Sequence, residues 1–246
     1  MKNNRKKYLS VKVWRSKKET EGFFEKFSVP FFESQTILDL VSWIQQNEDP
    51  SLTYRFACRV GMCGSCAMMV NGEPRWTCRT HVNKILAKSE DIEIAPLRNL
   101  PVIKDLVTNM DKFFEKWIEA EGVFHPTKTK KDKLPLIKPD TEKRVEVNNA
   151  IECINCGICY SACDLVSANS EYLGPAALNR AWSLLNDERD GAEDEIIDAV
   201  SRGNGCHNCH SQQGCVKYCP NELNPTFSIA GLKRKTTFSF FKKRNK

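Results

Sequence analysis

The chain has 246 residues, 41% of them hydrophobic and 28% charged, with a formal net charge of +6. That length supports one large core or two modest ones, and no uninterrupted apolar run reaches the roughly 18 residues that a bilayer-crossing helix needs. Twelve cysteines follow an N-terminus that is basic but never becomes a continuous apolar segment, which points to reduced metal ligands rather than an exported disulfide scaffold.

Taken in chain order, residues 9 to 14 alternate as a strand does, and Gly22 to Val29 make a partner across a turn. Thr36 and Asp39 have capping-box spacing and open a helix whose apolar stripe is Ile37, Val41 and Ile44, with Leu40 beside them. Ala67 to Val70 predict a short strand. Asn71-Gly72 then turns the chain toward Arg75-Trp76-Thr77-Cys78, and Ile92 and Ile94 belong to a last strand stopped before Pro96. Pro101 is expected to open a helix whose broad face is Val102, Ile103, Leu106, Val107, Met110, Phe113, Phe114, Trp117 and Ile118. Residues 125 to 142 carry Pro126, Pro135 and Pro139 and read as an exposed connection. Helices are expected over Gly174 to Asn186 and around Ile196, Ile197 and Val200.

The fold class is therefore α+β. Strands, one helix, a cysteine loop and a hairpin make a small sheet domain over residues 1–100, and residues 101–246 form an all-helical domain with a basic C-terminal tail. That tail holds Lys233, Arg234, Lys235, Lys242, Lys243, Arg244 and Lys246 with no acidic residue, interleaved with Phe238, Phe240 and Phe241. It reads either as a solvated tail or as a contact with a membrane surface or membrane-bound subunit. No recognised nucleic-acid motif accompanies it, so nucleic acid is not an expected partner.

The cysteines fall into three groups. Cys58-x4-Cys63-x2-Cys66, followed after eleven intervening residues by Cys78, has the plant-type ordering of a [2Fe–2S] site, which makes residues 1–100 a plant-type, β-grasp-like ferredoxin domain. Three thiolates come from one tight loop and the fourth from a neighbouring strand, and Gly61 and Gly64 let the loop close. Zinc also accepts four thiolates, but this spacing is not that of paired zinc knuckles. Cys153-x2-Cys156-x2-Cys159-x3-Cys163 has the bacterial ferredoxin spacing, in which the fourth cysteine serves the other cluster, and it makes the all-helical domain over residues 101–246 bacterial-ferredoxin-like. Cys219-Pro220 supplies the return partner, so Cys153, Cys156, Cys159 and Cys219 are expected to hold [4Fe–4S].

In the third group a regular motif would place cysteine at 212, where the chain has glutamine. Cys163, Cys209 and Cys215 remain, three thiolates, the condition for [3Fe–4S]. Cys206 stays open between a non-ligating thiol, a fourth ligand, and a register in which it replaces Cys209. Catalytic residues proper are expected to be none, and no G-x-G-x-x-G fingerprint suggests a bound flavin or nicotinamide.

The stretches Phe56 to Gly72, Cys153 to Cys163, Gly174 to Ala177 and Cys209-x5-Cys215-x3-Cys219-Pro220, with the Pro101 to Val107 segment, resemble the iron–sulfur subunit of succinate dehydrogenase and fumarate reductase. The resemblance covers roughly residues 9 to 232. It implies an electron relay through [2Fe–2S], [4Fe–4S] and [3Fe–4S] centres. The partners implied are an FAD-containing dicarboxylate-oxidoreductase subunit, one or more membrane anchor subunits and quinone, at the cytoplasmic face of the inner membrane. Another quinone-linked or disulfide-reducing enzyme could use the same clusters, and a zinc-stabilised nucleic-acid-binding protein is the remote alternative. Asp164 stands where members of the family commonly have proline, and the tryptophan-bearing segment of the mitochondrial type is missing. His210 matches a histidine found near the quinone side, and as a bare sequence feature it reads as structural or as support to a ligand rather than as a direct quinone contact.

Overall fold

The computed structural model describes residues 8–17, 21–133, 135–148 and 150–244. The basic run Met1 to Lys7 and the last two residues of the basic tail lie outside them. The strands are β1 (Tyr8–Arg15), β2 (Phe23–Pro30), β3 (Ala67–Val70), β4 (Glu73–Trp76), β5 (Ile92–Ala95), β6 (Val102–Lys104) and β7 (Val107–Thr108). The helices are α1 (Ile37–Asn47), α2 (Val82–Leu86), α3 (Asp111–Glu119), α4 (Glu142–Val147), α5 (Ile158–Ser161), α6 (Asp164–Ala168), α7 (Gly174–Leu185), α8 (Glu193–Ser201), α9 (Gly214–Lys217) and α10 (Pro225–Arg244). The chain divides into two compact units, residues 1–110 with 156–161, and residues 111–155 with 162–246.

In the first unit, alternation on β1 turns Leu9, Val11 and Val13 inward, each almost fully buried. The sheet among the described residues runs β2-β1-β5-β3-β4, antiparallel throughout except for the β1–β5 pair. Helix α1 lays Ile37, Leu40, Val41 and Ile44 on this sheet, where they meet Val29, Met68, Ile92 and Ile94. The capping box forms as expected. The Asp39 N–H donates to Thr36 Oγ1 at 3.3 Å and the Thr36 N–H donates to Asp39 Oδ2 at 2.9 Å, worth about 1 kcal/mol.

The helix expected from Pro101 is corrected. Residues 102–108 form the β6–β7 ladder, and the helix begins only at Asp111. Asp105 sits in the turn at φ +47, and its carboxylate accepts the Ser16 N–H at 3.0 Å and the Thr53 N–H at 2.9 Å. These two bonds close distant segments over the turn, and the β-branched residues around it suit a strand as well as a helix. Tertiary bonding outweighs the helical spacing.

In the second unit α7 is the central helix, with Leu178, Ala181, Trp182 and Leu184 buried. The C-terminal segment from Gly231 is no free tail: it is the greater part of α10, which packs on α7 and α8. Ile229 and Leu232 are buried, and a Cβ at Gly231 would meet the Trp182 ring at 2.5 Å, so only glycine admits this approach. Beyond Thr236 the same helix continues with Phe238, Phe240 and Phe241 exposed. The connection over 125–142 is exposed for most of its length, as expected. Among the described residues no helix is long and apolar enough to cross a membrane.

Candidate iron–sulfur centres

All twelve cysteines are free thiols. In the first unit, three backbone N–H groups converge on Cys58 Sγ: those of Val60 at 3.4 Å, Met62 at 3.2 Å and Cys63 at 3.3 Å. The Cys58 N–H donates in turn to Cys63 Sγ at 3.5 Å. The loop can fold this way because Arg59, Gly61 and Gly64 take left-handed backbone at φ +59, +77 and +71. The Cys58 N–H and the Ser65 hydroxyl bring the Cys63 thiol down to about 6. Such a thiol is already biased toward the thiolate that iron requires.

Cys66 and Cys78 lie side by side, buried against Leu38, Tyr54 and Trp76. Cys78 is not on the hairpin strand but on the 3-10 turn Thr77–Arg79 that follows it. Thr77 fixes that turn, its N–H and its hydroxyl both donating to the Cys66 carbonyl at 3.2 and 2.8 Å. Burial, with Cys66 beside it, pushes the Cys78 thiol up to about 11, against a Gly61 N–H that points at its sulfur. The four thiols thus surround one loop as two neighbouring pairs, Cys58 with Cys63 and Cys66 with Cys78.

Cys156 and Cys159 belong to the first unit. Gly157, at φ +76, packs against Met110, Leu97 and Leu100, and a Cβ at Gly64 would stand 2.6 Å from Cys156 Cβ. The Ser161 hydroxyl at the end of α5 accepts the Arg98 N–H at 2.9 Å. Cys153 and Cys219 belong to the second unit, where Cys153 feels both the Cys219 thiol and the Arg180 guanidinium. The Asn221 side-chain amide, donating to the Glu152 carbonyl at 2.8 Å, ties the two segments together.

Cys163, Cys209 and Cys215 come together in the same unit. The N–H groups of Val166 and Leu165, from the first turn of α6, point at Cys163. The Ser211 N–H donates to Cys209 Sγ at 3.4 Å, and the Thr226 hydroxyl lies 3.5 Å from Cys215 Sγ. The Cys209 carbonyl accepts from Lys233 Nζ at 2.6 Å. Burial pushes the thiols of Cys153, Cys163 and Cys215 up. Buried groups of this kind favour the neutral form until a metal takes the charge.

Gln212 is exposed, in a loop where Ser211 and Gln213 take left-handed backbone. Cys206 is fully buried, with its sulfur 3.9 Å from Thr236 Oγ1 on α10. His210 is exposed, whereas His207 Nε2 lies 2.9 Å from the Thr236 hydroxyl. Arg180, Thr226 and Tyr172, which is buried beside the third thiol set, had no motif to single them out. Tyr172 stands two residues before the glycine that opens α7, an aromatic at a helix entry that by itself reads only as core.

These surroundings fit iron–sulfur clusters. Backbone N–H groups aimed at cysteine sulfur stabilise the negative charge that ligated thiolates carry, and glycines leave room for the loops to wrap.

Residues 10–115 match the 2Fe-2S iron-sulfur cluster binding domain, and residues 149–223 match the 4Fe-4S dicluster domain. The fumarate reductase iron-sulfur subunit of Haemophilus influenzae is 31% identical, over 90% of each chain. The chain belongs to the iron–sulfur subunit family of succinate dehydrogenase and fumarate reductase. The succinate dehydrogenase iron-sulfur subunit of Paracoccus denitrificans is 34% identical over 80% of this chain and 74% of its own. The solved Sdh1 complex of Mycobacterium smegmatis, in its apo form, contains a chain of the same fold at TM-score 0.81 and 25% identity, covering 95% of this chain and 97% of that one. The α+β class expected from the sequence, with a sheet-bearing [2Fe–2S] domain ahead of a helical dicluster domain, is the one found, and the chain is an electron-relay subunit of an oxidoreductase family.

Proposed function

We propose that the chain carries electrons between a partner flavoprotein that interconverts succinate and fumarate and a quinone held at a membrane anchor. Cys58, Cys63, Cys66 and Cys78 would hold [2Fe–2S], Cys153, Cys156, Cys159 and Cys219 [4Fe–4S], and Cys163, Cys209 and Cys215 [3Fe–4S]. When bound, such clusters accept and release electrons one at a time, with potentials set by cluster type, hydrogen bonds to sulfur and exposure. The chain's own part is to hold each sulfur and direct N–H groups at it. The observation that carries this reading is the order of three unlike cysteine sets, the last of three thiols with Gln212 turned to solvent. Association with a membrane would come through partner subunits, at its cytoplasmic face.

The test is purification with the copurifying flavoprotein, followed by reduction with succinate. Succinate-dependent reduction of all three centres is the expected result. A flavoprotein indifferent to succinate and fumarate would overturn the dicarboxylate assignment and leave the relay standing.

The burial of Cys206 against Thr236 supports its reading as a spare thiol. Cys206→Ala is expected to keep the [3Fe–4S] electron paramagnetic resonance signal of the oxidised protein and to cost about 1–2 kcal/mol of stability from lost packing. Loss of the terminal centre in that variant would make Cys206 a ligand.

A further inference from the structure

The first turn of α10 is held by groups other than Thr226. Asn224 caps it: its Oδ1 accepts the Phe227 N–H at 2.9 Å, and its carbonyl accepts the N–H groups of Phe227 and Ser228 at 3.1 and 3.3 Å. The Ser228 hydroxyl then donates to Asn179 Oδ1 on α7 at 2.8 Å, a buried contact that fixes where α10 starts. Leu223 and Pro225, on either side of the cap, are buried as well.

Threonine inside a helix commonly returns its hydroxyl to the carbonyl four residues back. Thr236 and Thr237 on this helix do so, to Leu232 at 3.0 Å and to Lys233 at 2.8 Å. For Thr226 the residue four back is Glu222, which stands ahead of the helix with left-handed backbone at φ +57, so that return is closed. Its hydroxyl lies 3.5 Å from Cys215 Sγ instead. Cys215 is 8% exposed, and water competes little for its sulfur. Between a thiol and a hydroxyl either group can donate. A cysteine that ligates iron has given up its proton and can only accept, which makes the Thr226 hydroxyl the donor.

We propose that Thr226 is a positioning residue for the terminal centre: its hydroxyl donates a hydrogen bond to the Cys215 sulfur and raises the reduction potential of the cluster held by Cys163, Cys209 and Cys215. The proposal rests on the assignment of those three cysteines as ligands. Reduction adds one electron to the cluster, and the Thr226 proton stays on its oxygen. The added negative charge spreads in part onto the ligand sulfurs, so a donor at one of them favours the reduced state over the oxidised one. The Ser211 N–H acts on Cys209 from the backbone, so a substitution at 226 removes one donor and leaves that one in place.

The experiment is a dithionite titration of the intact complex, followed by the electron paramagnetic resonance of each centre. In Thr226→Val, which keeps the branched shape and loses the hydroxyl, the reduction equilibrium of the terminal centre is expected to weaken about tenfold, equivalent to a midpoint lower by about 59 mV for one electron, with the other two midpoints unmoved. Thr226→Ser keeps the hydroxyl and should keep the midpoint of the unaltered complex. An unchanged midpoint in the valine variant overturns the role of Thr226 alone, since a purely structural role would lower the melting temperature without moving the potential. Absence of a [3Fe–4S] signal from the unaltered complex overturns the ligand assignment, and the proposal with it. Should the valine variant fail to assemble, Thr226→Ala is titrated against Thr226→Ser: the alanine midpoint is expected to fall below the serine one, and equal midpoints contradict the proposal.

Discussion

Cys66→Ala is expected to abolish the [2Fe–2S] signal and to slow succinate-driven reduction of the remaining centres by at least about a hundredfold, since losing a ligand exceeds the loss of a supporting hydrogen bond. Cys66 is 3% exposed and paired with Cys78 in an apolar pocket, so no solvent-borne ligand replaces it readily. Its carbonyl also anchors Thr77, the residue that presents Cys78. The backbone anchor survives the substitution, which keeps the turn formed and confines the effect to the missing thiolate. Stopped-flow reduction of the purified complex measures the rate, and dithionite-reduced spectra read the cluster. Retention of a normal [2Fe–2S] signal would show that Cys66 is not a ligand.

The second large effect belongs to Gly64, which carries no functional group. At φ +71 a Cβ costs about 1–2 kcal/mol by itself. The same Cβ would lie 2.6 Å from Cys156 Cβ and 2.9 Å from its Cα, where backbone and not a flexible side chain would have to yield. Overpacking of that kind adds about 1–3 kcal/mol. Gly64→Ala should therefore destabilise the first unit by about 2–5 kcal/mol and lower iron content, whereas Gly72→Ala, with open space at its Cβ and φ +77, should cost only the backbone strain. Thermal unfolding and iron analysis of the two variants separate the outcomes. Equal losses would mean that the approach of Cys156 to Gly64 is unimportant.

The features that could be read from the sequence are those whose causes are local. The capping box at Thr36 and Asp39, the alternation of β1 and the Asn71-Gly72 hairpin all depend on residues a few positions apart. The cysteine groups were legible for a related reason: ligand chemistry fixes spacing within a loop. Residues 101–108 were misread as helix because the bonds that hold Asp105 in a turn come from Ser16 and Thr53, far away in sequence. The packing of α10 was equally hidden. A run of lysine, arginine and phenylalanine reads as a tail until Gly231 is seen against Trp182, and only then does its first half join the core. Tyr172 and Arg180 left no signal, since neither lies in a cysteine motif and each comes into the neighbourhood of thiols only through the fold.

The strongest distinction within the second unit lies between Gln212 and Cys206. One occupies a ligand register and is exposed; the other is a thiol and is buried against α10. The residue type alone would favour Cys206 as a ligand, while its surroundings favour a packing role. On the proposed ligand set, three thiols would serve the terminal centre and would make it chemically unlike the other two.

That difference is open to one measurement: iron and acid-labile sulfide analysis of the purified complex joined to electron paramagnetic resonance in its oxidised and dithionite-reduced states. Three distinct centres are expected, with a [3Fe–4S] signal in the oxidised protein and [2Fe–2S] and [4Fe–4S] signals on reduction. A second four-iron cluster in place of the [3Fe–4S] signal, or a colourless zinc protein without sulfide, would contradict the account.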